Sequence, residues 1–300
     1  LEKKIKSKKV DIRNYRKIRE IVTKFKPDFI FHLAAQAIVK KSYANPYYTW
    51  QTNLNGTINI LESLRNVKKK TIVILVTSDK VYKNLEINKG YKENDLLGGV
   101  DPYGASKSAT EVAIKSYIKS FFNTKDNKVL ISIARAGNVI GGGDWSEKRI
   151  IPDAIKAWSK KEILEIRNPL ATRPWQHVLE PLSGYLILAE KLYKNKIKNQ
   201  SQNWNFGPNL SSCKTVKYVA EKFAEALGLK LKTVKLKKKS ISSETDLLRL
   251  SNYKAQKFLN WHPKWKLNKS IDKIIEWNNV KNKKNVLKIC EKQIREFLQT

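Results

Sequence analysis

Short apolar runs alternate with longer amphipathic stretches up to the glycines at 141–143. The runs at 29–33, 71–76 and 129–134 predict strands, and the unbroken apolar run at 71–76 indicates a strand buried on both faces of its sheet. The stretches that open at Pro46 and at Tyr103 have the three- and four-residue spacing of helices. Strands that alternate with helices predict an α/β fold with a doubly wound parallel sheet.

The pattern loosens after residue 143, where prolines separate shorter elements. Residues 214–227 predict an amphipathic helix, 261–265 a turn, and Ser270 the start of a last helix. The very basic segment 230–239 predicts a solvated strand or loop. We therefore predict two domains: residues 1–141 with a return segment near 174–198, and a smaller α+β domain over 142–300.

The composition adds a strong positive charge, since 60 Lys and Arg against 27 Asp and Glu give a formal net charge of +33. Nucleic-acid binding is one interpretation of that charge. However, only 10 of the basic residues are Arg, and the Lys residues are spread along the whole chain. A nucleic-acid groove concentrates Arg and interleaves it with exposed aromatic residues. We therefore expect no nucleic-acid partner, although the field can attract an anionic ligand.

The few cysteines and histidines argue against other classes of protein. Cys213 and Cys290 are far apart in sequence, which is typical of a protein from a reducing cytoplasm rather than of a disulfide framework. None of the three His residues pairs at ligand spacing, so we expect no metal site. No apolar run approaches the roughly 18 residues that a membrane-spanning helix needs, so we expect no membrane partner.

Candidate chemistry begins in the segment 101–107 (DPYGASK). Asp followed by Pro predicts a helix start, and Tyr103 and Lys107, four positions apart, then share one helix face. A nearby ammonium group lowers the pKa of a phenol from its usual value of about 10. The pair can therefore act as a general base on a hydroxyl that becomes a carbonyl. The same spacing also arises by chance on helix surfaces, so the pair needs support from other segments.

That support comes from polar residues directly after the strand predicted at 71–76. In open α/β sheets, ligands bind at the carboxyl ends of the strands. The Ser78 hydroxyl can hydrogen-bond a substrate hydroxyl, while Asp79 and Lys80 offer an acid and a base side by side. The helix that carries Tyr103 begins shortly afterwards, which favours one shared site.

Two further segments suggest ligand contacts. The small residues within 32–36 (HLAAQ) would let a cofactor approach the backbone after the first predicted strand. Arg149 and Arg173 follow the strand predicted at 129–134, and Arg grips phosphate groups with two hydrogen bonds. We interpret these two arginines as candidates for a diphosphate site.

Seven stretches together resemble the extended short-chain dehydrogenase/reductase family, in family order from about residue 11 to residue 265. They are HLAAQ at 32–36, TSDKVY at 77–82, GYKEND at 90–95, DPYGASK at 101–107, ARAGNVIGGGDW at 134–145, RPWQHVLEPLSGYL at 173–186 and WNFGPN at 204–209. The resemblance implies a Rossmann-like fold, NAD as cofactor and a nucleotide-activated sugar as substrate. It also implies that residues 1–141 form part of a dinucleotide-binding domain and that 142–300 bind mainly substrate.

The resemblance implies an internal redox reaction that removes water from the sugar. Tyr103, supported by Lys107 and Ser78, would deprotonate the hydroxyl on carbon 4. Lys80 would then remove the proton on carbon 5, and Asp79 would protonate the hydroxyl leaving carbon 6. Related dTDP-glucose dehydratases typically have Glu at the position of Lys80, so this Lys indicates CDP-glucose as the substrate.

The remaining implied contacts are weaker. They are, for the cofactor, Asp11, Ile12, Leu33, Ala34, Ala35, Gln36 and Thr57 together with Tyr103 and Lys107, and, for the substrate, Ser42, Asn138, Arg149 and Arg173. The helices at 46–66 and 103–122 resemble the pair that forms a dimer interface in this family, so we expect a homodimer.

The chain starts at Leu1 and contains no Met, whereas the family begins with a strand, a Gly-rich phosphate loop and a helix before the position of Asp11. The backbone N–H groups of that loop bind the NAD diphosphate. We therefore expect these 300 residues by themselves to bind NAD poorly and to be inactive.

Two alternatives stay open. One is an epimerase or another sugar-nucleotide dehydratase, although Asp79-Lys80 disfavours an epimerase, which eliminates no water. The other is a non-catalytic protein that binds sugar nucleotides or a partner subunit, which the complete set Ser78, Asp79, Lys80, Tyr103 and Lys107 disfavours.

Overall fold

The computed structural model describes residues 5–166, 168–197, 203–229, 234–236, 246–280 and 282–300. The chain divides into two compact units, which are described separately. The first comprises Leu1–Lys83, Leu97–Ala134 and Ala189–Asn203, and the second comprises Asn84–Leu96, Arg135–Leu188 and Trp204–Thr300. The domain boundary near residue 141 stays a prediction.

Helices and strands alternate as the apolar pattern indicates. The helices are α1 (Tyr15–Phe25), α2 (Val39–Ala44), α3 (Pro46–Trp50), α4 (Gly56–Leu64), α5 (Pro102–Tyr117), α6 (Ile150–Ser159), α7 (Leu179–Tyr193), α8 (Val216–Ala226), α9 (Leu267–Asn278) and α10 (Lys283–Gln299). The strands are β1 (Phe29–His32), β2 (Thr71–Val76), β3 (Val129–Ala136), β4 (Asn138–Ile140), β5 (Leu164–Ile166), β6 (Thr172–His177), β7 (Asn203–Phe206), β8 (Cys213–Thr215) and β9 (Val234–Leu236). Of the described helices, none combines the length and hydropathy that crossing a bilayer requires.

The main sheet has the strand order β1-β2-β3-β7, and β1, β2 and β3 run parallel. Every residue of β3 is buried, and so is every residue of β2 except Val76, which is half-buried. This burial explains the unbroken apolar runs, because neither face of these strands meets water. The predicted α/β fold with a parallel sheet is therefore confirmed.

The core of the first unit lies between its sheet and its helices. Its buried members are Ile18, Val22, Ile60, Leu61, Leu64, Val73, Leu75, Ile114, Ile118, Phe122, Val129, Ile131 and Ile133. They come from α1, α4, the strands, α5 and the turn that follows α5, so the spacing seen in the sequence reflects one shared apolar layer.

The helix predicted to open at Pro46 is interrupted. One π-helical turn, Gln51–Asn55, joins α3 to α4, and a second, Ile118–Phe122, follows α5. Such turns widen the backbone and are frequent at functional sites. The amphipathic pattern shows only which face of a helix is buried. It therefore predicts a helix but cannot reveal a π-helical turn within it.

The second unit has its own small sheets and core. Strands β4, β6 and β8 form one sheet, while β5 pairs with β9. A Cβ on Gly142 would lie 2.1 Å from Cγ of Trp277, and Gly143 has a φ of +79°. The triple glycine is therefore required both by the close approach of α9 and by a left-handed backbone position.

The later elements partly confirm the sequence-based predictions. The amphipathic helix over 214–227 is α8. The helix expected from Ser270 begins earlier, at Leu267, and is not the last, because α10 follows it. The prediction for 230–239 coincides with β9 at 234–236, and its other residues lie outside the described residues.

An ion-pair network joins α9 to α10. Lys273 Nζ and Lys292 Nζ each contact Glu276 and Glu296, at distances of 2.5 to 3.8 Å. Burial favours a raised pKa for Glu276, but hydrogen bonds from Lys292, Lys273 and Gln293 outweigh it and lower the pKa to about 2. The carboxylate form of Glu276 is therefore part of what holds α10 in place.

We predict that Glu276→Gln lowers the free energy of unfolding by about 1 kcal/mol at pH 7, as loss of a partly buried ion-pair centre does. Because the folded pKa of Glu276 is depressed, the contribution is complete above the ordinary glutamate pKa of 4.5 and is lost as the pH falls toward 2. Urea unfolding at pH 7 and pH 3 measures this. Glu291→Gln, at an exposed position of α10, is the matched control. Equal loss in both variants, or the same loss at both pH values, would contradict the assignment.

Candidate active site

Helix α5, which carries Tyr103 and Lys107, starts where the sequence predicts. The side chain of Asp101 accepts hydrogen bonds from the backbone N–H groups of Tyr103 and Gly104, both at 3.0 Å, and Pro102 occupies the first turn. An aspartate cap satisfies N–H groups that otherwise have no partner, and proline has a φ that suits this position. Tyr103 lies in the first turn that this cap fixes, and it is buried, with 8% of its surface exposed.

One face of α5 is attached to the segment that follows β2. A Cβ on Gly104 would lie 2.9 Å from the carbonyl oxygen of Lys80, so only glycine lets the two backbones meet. Lys107 Nζ donates to the Val76 carbonyl at 3.1 Å, and Ser108 Oγ donates to the Val81 carbonyl at 2.8 Å. The first two turns of α5 are therefore joined to the carboxyl end of β2.

The segment between these contacts carries Ser78, Asp79 and Lys80. Residues Asp79–Val81 form one 3-10 turn, whose Lys80 N–H donates to Ser78 Oγ at 3.2 Å. The Ser78 hydroxyl donates to Asp79 Oδ1 at 3.0 Å. Ser78 and Asp79 are buried and Lys80 is half-buried. The structure thus brings the three predicted residues to the strand end that packs against the Tyr103 helix.

Lys107 is a buried cation, 4% exposed. Burial lowers its pKa to about 8, while the nearby Glu111 carboxylate acts to raise it. His32, at the end of β1, is also buried, and its pKa is lowered to about 4 by burial and by the positive charge of Lys107. At neutral pH His32 is therefore uncharged, and its Nε2 lies 3.1 Å from Thr57 Oγ1.

The sequence-based reasoning missed Asn53. This residue is 1% exposed and lies within the π-helical turn. Its side chain donates to the Gln36 carbonyl at 3.1 Å and to Ser106 Oγ at 2.9 Å, and it accepts from the Gln36 N–H at 2.9 Å. Ser106 in turn donates to the Tyr103 carbonyl at 2.7 Å. Asn53 therefore links the segment after β1 to α5. In the sequence, the signal that could have identified it is an Asn on an otherwise apolar helix face.

The predicted cofactor-lining residues differ in exposure. Leu33 is 49% exposed and Ala34 is exposed, directly after the carboxyl end of β1. Gln36 is buried, and its side chain donates to Thr49 Oγ1 at 2.9 Å. Thr57 is 3% exposed and its hydroxyl donates to the Asn53 carbonyl at 2.7 Å. Small and apolar groups therefore form an open surface, with Gln36 and Thr57 packed behind it.

Asp11 and Ile12 lie between the first residues and α1. The Asp11 carboxylate is paired with Arg13, which lowers its pKa to about 2 through side-chain and backbone hydrogen bonds. Ile12 packs on α4, where a Cβ on Gly56 would lie 2.9 Å from Ile12 Cγ2. Ser42 is fully buried in α2, and its hydroxyl donates to the Val39 carbonyl at 2.6 Å. The ligand roles of Asp11, Ile12 and Ser42 stay predictions.

The predicted substrate residues Asn138, Arg149 and Arg173 belong to the second unit. Asn138 opens β4 opposite Trp175 of β6. Arg149 precedes α6, is 41% exposed at its side chain, and pairs with Asp144 at 3.2 Å. Arg173 lies on β6, is 5% exposed, and donates to the Thr172 carbonyl at 2.9 Å. Asp144 thus orients the guanidinium group of Arg149, which is exposed to solvent.

Arg135 has a structural partner. It is fully buried and donates to the Glu93 carbonyl at 3.1 Å, while Glu93 Oε1 accepts from the Asn205 N–H at 2.9 Å. Burial raises the pKa of Glu93. These contacts attach the segment Asn84–Leu96 to the rest of the second unit.

A parallel sheet with a serine after β2, a Tyr-Lys pair on the next helix and an Asp-Lys pair beside them is the arrangement expected of a short-chain dehydrogenase/reductase of the dehydratase type. Residues 1–274 match the GDP-mannose 4,6 dehydratase family. The chain belongs to this family.

The chain is also similar to individual proteins. The chain is 40% identical over 286 residues to the CDP-glucose 4,6-dehydratase of Salmonella typhimurium, covering 94% of this chain and 79% of the relative. It is 24% identical over 274 residues to the UDP-glucose 4-epimerase of Mycoplasma pneumoniae, covering 87% and 79%. Its fold is similar to the dTDP-glucose 4,6-dehydratase of Bacillus anthracis solved in complex with NAD, with a TM-score of 0.77, 20% identity, and coverage of 94% and 81%.

We predict that Asn53→Ala lowers the free energy of unfolding by about 2 kcal/mol, because it leaves the buried Gln36 N–H and Ser106 hydroxyl without this partner. Urea unfolding of the two proteins measures the difference. Asn55→Ala, an exposed Asn in the same π-helical turn, is the matched control and should change stability by less than about 0.5 kcal/mol. Equal effects of the two substitutions would show that the network contributes nothing specific.

Proposed function

We propose that the natural polypeptide that carries this sequence catalyses the NAD-dependent dehydration of CDP-glucose to CDP-4-keto-6-deoxyglucose. The observation that carries the proposal is the attachment of the Asp79-Lys80 turn to α5, through the contact of Gly104 with the Lys80 carbonyl. Oxidation alone needs the serine and the Tyr-Lys pair. An acid and a base on the adjoining turn are what the removal of water adds.

The first task of the protein is to remove the proton from the hydroxyl on carbon 4. Tyr103 is the general base, and the cationic Lys107 one turn later favours its phenolate form. Ser78 orients the same hydroxyl. Its hydroxyl proton is donated to Asp79 Oδ1 and one lone pair accepts from the Lys80 N–H, so the second lone pair is available to a substrate donor.

The second task is the elimination of water. A ketone at carbon 4 acidifies the proton on carbon 5, which Lys80 removes, and Asp79 donates a proton to the hydroxyl that leaves carbon 6. The bond between carbon 6 and oxygen breaks as the double bond between carbons 5 and 6 forms. A proton returned to carbon 5 completes the balance when carbon 6 is reduced.

The residues after β1 fit NAD. Leu33 and Ala34 leave an exposed apolar surface at the carboxyl end of a parallel strand, where ligands bind in this class of fold. NAD, when bound, supplies the acceptor for the hydride from carbon 4 and returns that hydride to carbon 6. Asp11, Ile12, Ala35, Gln36, Thr57, Tyr103 and Lys107 complete the proposed cofactor contacts.

The choice of CDP-glucose rests on Lys80 and on the 40% identity to a CDP-glucose 4,6-dehydratase. Arg149 and Arg173 are the proposed diphosphate contacts, and Asn138 and Ser42 would hold the rest of the substrate. The resemblance to UDP-glucose 4-epimerases makes epimerisation the second candidate. An epimerase needs no group to protonate a leaving hydroxyl, so Asp79 and Lys80 favour dehydration.

We predict that Lys80→Met and Asp79→Asn lower the turnover of CDP-glucose by on the order of 100-fold or more in the natural polypeptide that carries this sequence. Oxidation at carbon 4 should survive, so NADH absorbance should build up on the enzyme. Lys83→Met, an exposed lysine on the same segment, is the control. An enzyme that epimerises CDP-glucose or another sugar nucleotide without losing water would reject the proposal.

We further infer a homodimer through helices 46–66 and 103–122. Its support is apolar side chains left in water along them: Tyr47 is 72%, Val112 60% and Phe121 41% exposed. Burial of such residues drives association of subunits.

The proposed location is the cytoplasm, and the proposed role is supply of a deoxysugar for the lipopolysaccharide O-antigen.

We predict that Val112→Glu produces a monomer, because a carboxylate would be buried without a partner at the interface. Light scattering after size-exclusion chromatography gives the mass. Val100→Glu, at a valine outside both helices that is 76% exposed, should leave the mass unchanged. A wild-type protein that is monomeric at micromolar concentration would remove the interface from consideration.

A further inference from the structure

Glu111 is a fully buried acidic residue that the proposed mechanism does not use. It lies in α5, and Thr77 Oγ1 donates a hydrogen bond of 2.7 Å to its Oε1. Thr77 is the residue between β2 and Ser78, and its own N–H donates to the Ala134 carbonyl at 2.9 Å. A carboxylate removed from water is costly unless it has partners, so its presence beside the catalytic segment needs a reason.

Lys107 is the residue that explains why the Glu111 carboxylate is buried there. Glu111 follows Lys107 by four residues, so both side chains lie on the same face of α5. The Lys107 ammonium group is itself buried and donates to the Val76 carbonyl at 3.1 Å. A carbonyl dipole compensates only part of the cost of burying a full positive charge.

Other titratable groups around Lys107 do not supply the missing negative charge. Tyr103 is on the same helix and is the base that Lys107 assists. From β1, His32 faces Lys107, but its pKa of about 4 keeps it neutral near pH 7. The turn after β2 carries Lys80 and Asp79, and Asp79 accepts from the Ser78 hydroxyl. Glu111 is the group whose charge raises the pKa of Lys107 against burial.

We propose that Glu111 is a positioning residue: its carboxylate, anchored by Thr77 Oγ1, balances the buried charge of Lys107 and so keeps an ammonium group available to Tyr103. This inference rests on the proposed function, in which a charged Lys107 supports the Tyr103 base. Thr77 has a supporting part, because it fixes the carboxylate and lies next to Ser78.

The charge of the Glu111 carboxylate acts on the pKa of Lys107, which a purely structural role of Glu111 would not do. A glutamine at position 111 has the same shape and still accepts from Thr77, but it provides no charge for Lys107. Loss of an opposite charge one helical turn away should lower the pKa of the buried Lys107 ammonium group by about one pH unit. The Lys107 proton would then be lost at lower pH, and with it the assistance to Tyr103.

The test is the pH profile of kcat/KM for Glu111→Gln in the natural polypeptide. The wild-type profile should fall on its alkaline side near pH 8, where Lys107 loses its proton. In Glu111→Gln that fall should lie about one pH unit lower, with kcat/KM about twofold lower at pH 7. Thr77→Val should lower the melting temperature but keep the alkaline fall at its wild-type position. Asp126→Asn, an exposed charge removed from the same unit, should change neither.

A readout independent of turnover separates this inference from the proposed function. The carbon-13 resonance of Lys107 Cε, assigned by its loss in Lys107→Met, should titrate near pH 8 in wild type and about one unit lower in Glu111→Gln. An inactive wild type with this shift would reject the dehydratase and retain the role of Glu111. Equal titration in the two proteins, with only a lower melting temperature, would reject the role of Glu111. Should Glu111→Gln fail to fold, Glu111→Asp, which withdraws the carboxylate by one methylene, must show a smaller shift in the same direction, and an unmoved titration there would also overturn the inference.

Discussion

The attachment of α5 to the carboxyl end of β2 is the constraint on which the candidate site depends. Gly104, Lys107 and Ser108 contact the backbone of residues 76–81, and Thr77 contacts Glu111. These four helix positions repeat at intervals of three and four residues, so they form one stripe along α5. Because a polar stripe packs on a strand end, the turn between those contacts has one position relative to Tyr103. In the proposed mechanism, the acid, the base and the redox residues then act on neighbouring atoms of the substrate.

A buried polar network supports this arrangement from the other side of the helix. Asn53 occupies a π-helical turn that departs from regular hydrogen bonding and joins the segment after β1 to Ser106. Buried polar groups are costly unless each finds a partner, and a satisfied network specifies one packing more strictly than apolar contacts do. Part of the core of the first unit therefore consists of polar residues that orient α5 and the segment after β1.

Charge has two separate roles in this chain. The net charge of +33 comes largely from lysines in water, and it creates a field that attracts anions. A second set of charges is small and buried. Lys107 donates to a carbonyl and feels the charge of the buried Glu111, and Glu93 lies beside Arg135 in the second unit. Since water does not screen buried charges, their effect on neighbouring protons is larger than that of surface lysines.

The sequence by itself determined the α/β class, the three strands of the parallel sheet, the start of α5 at Asp101 and the grouping of Ser78, Asp79, Lys80, Tyr103 and Lys107. It could do so because apolar periodicity, caps and strand-end positions are local properties. Tertiary structure alone decided the π-helical turn at Asn53, the pairing of Glu111 with Thr77, the burial of Arg135 and the extra helix α10. These depend on which residues meet across the fold, and a buried Glu or Arg has the same letter in the sequence as one in water. The tertiary contacts thus made Lys107 part of a buried charge pair, which the spacing of Tyr103 and Lys107 could not reveal.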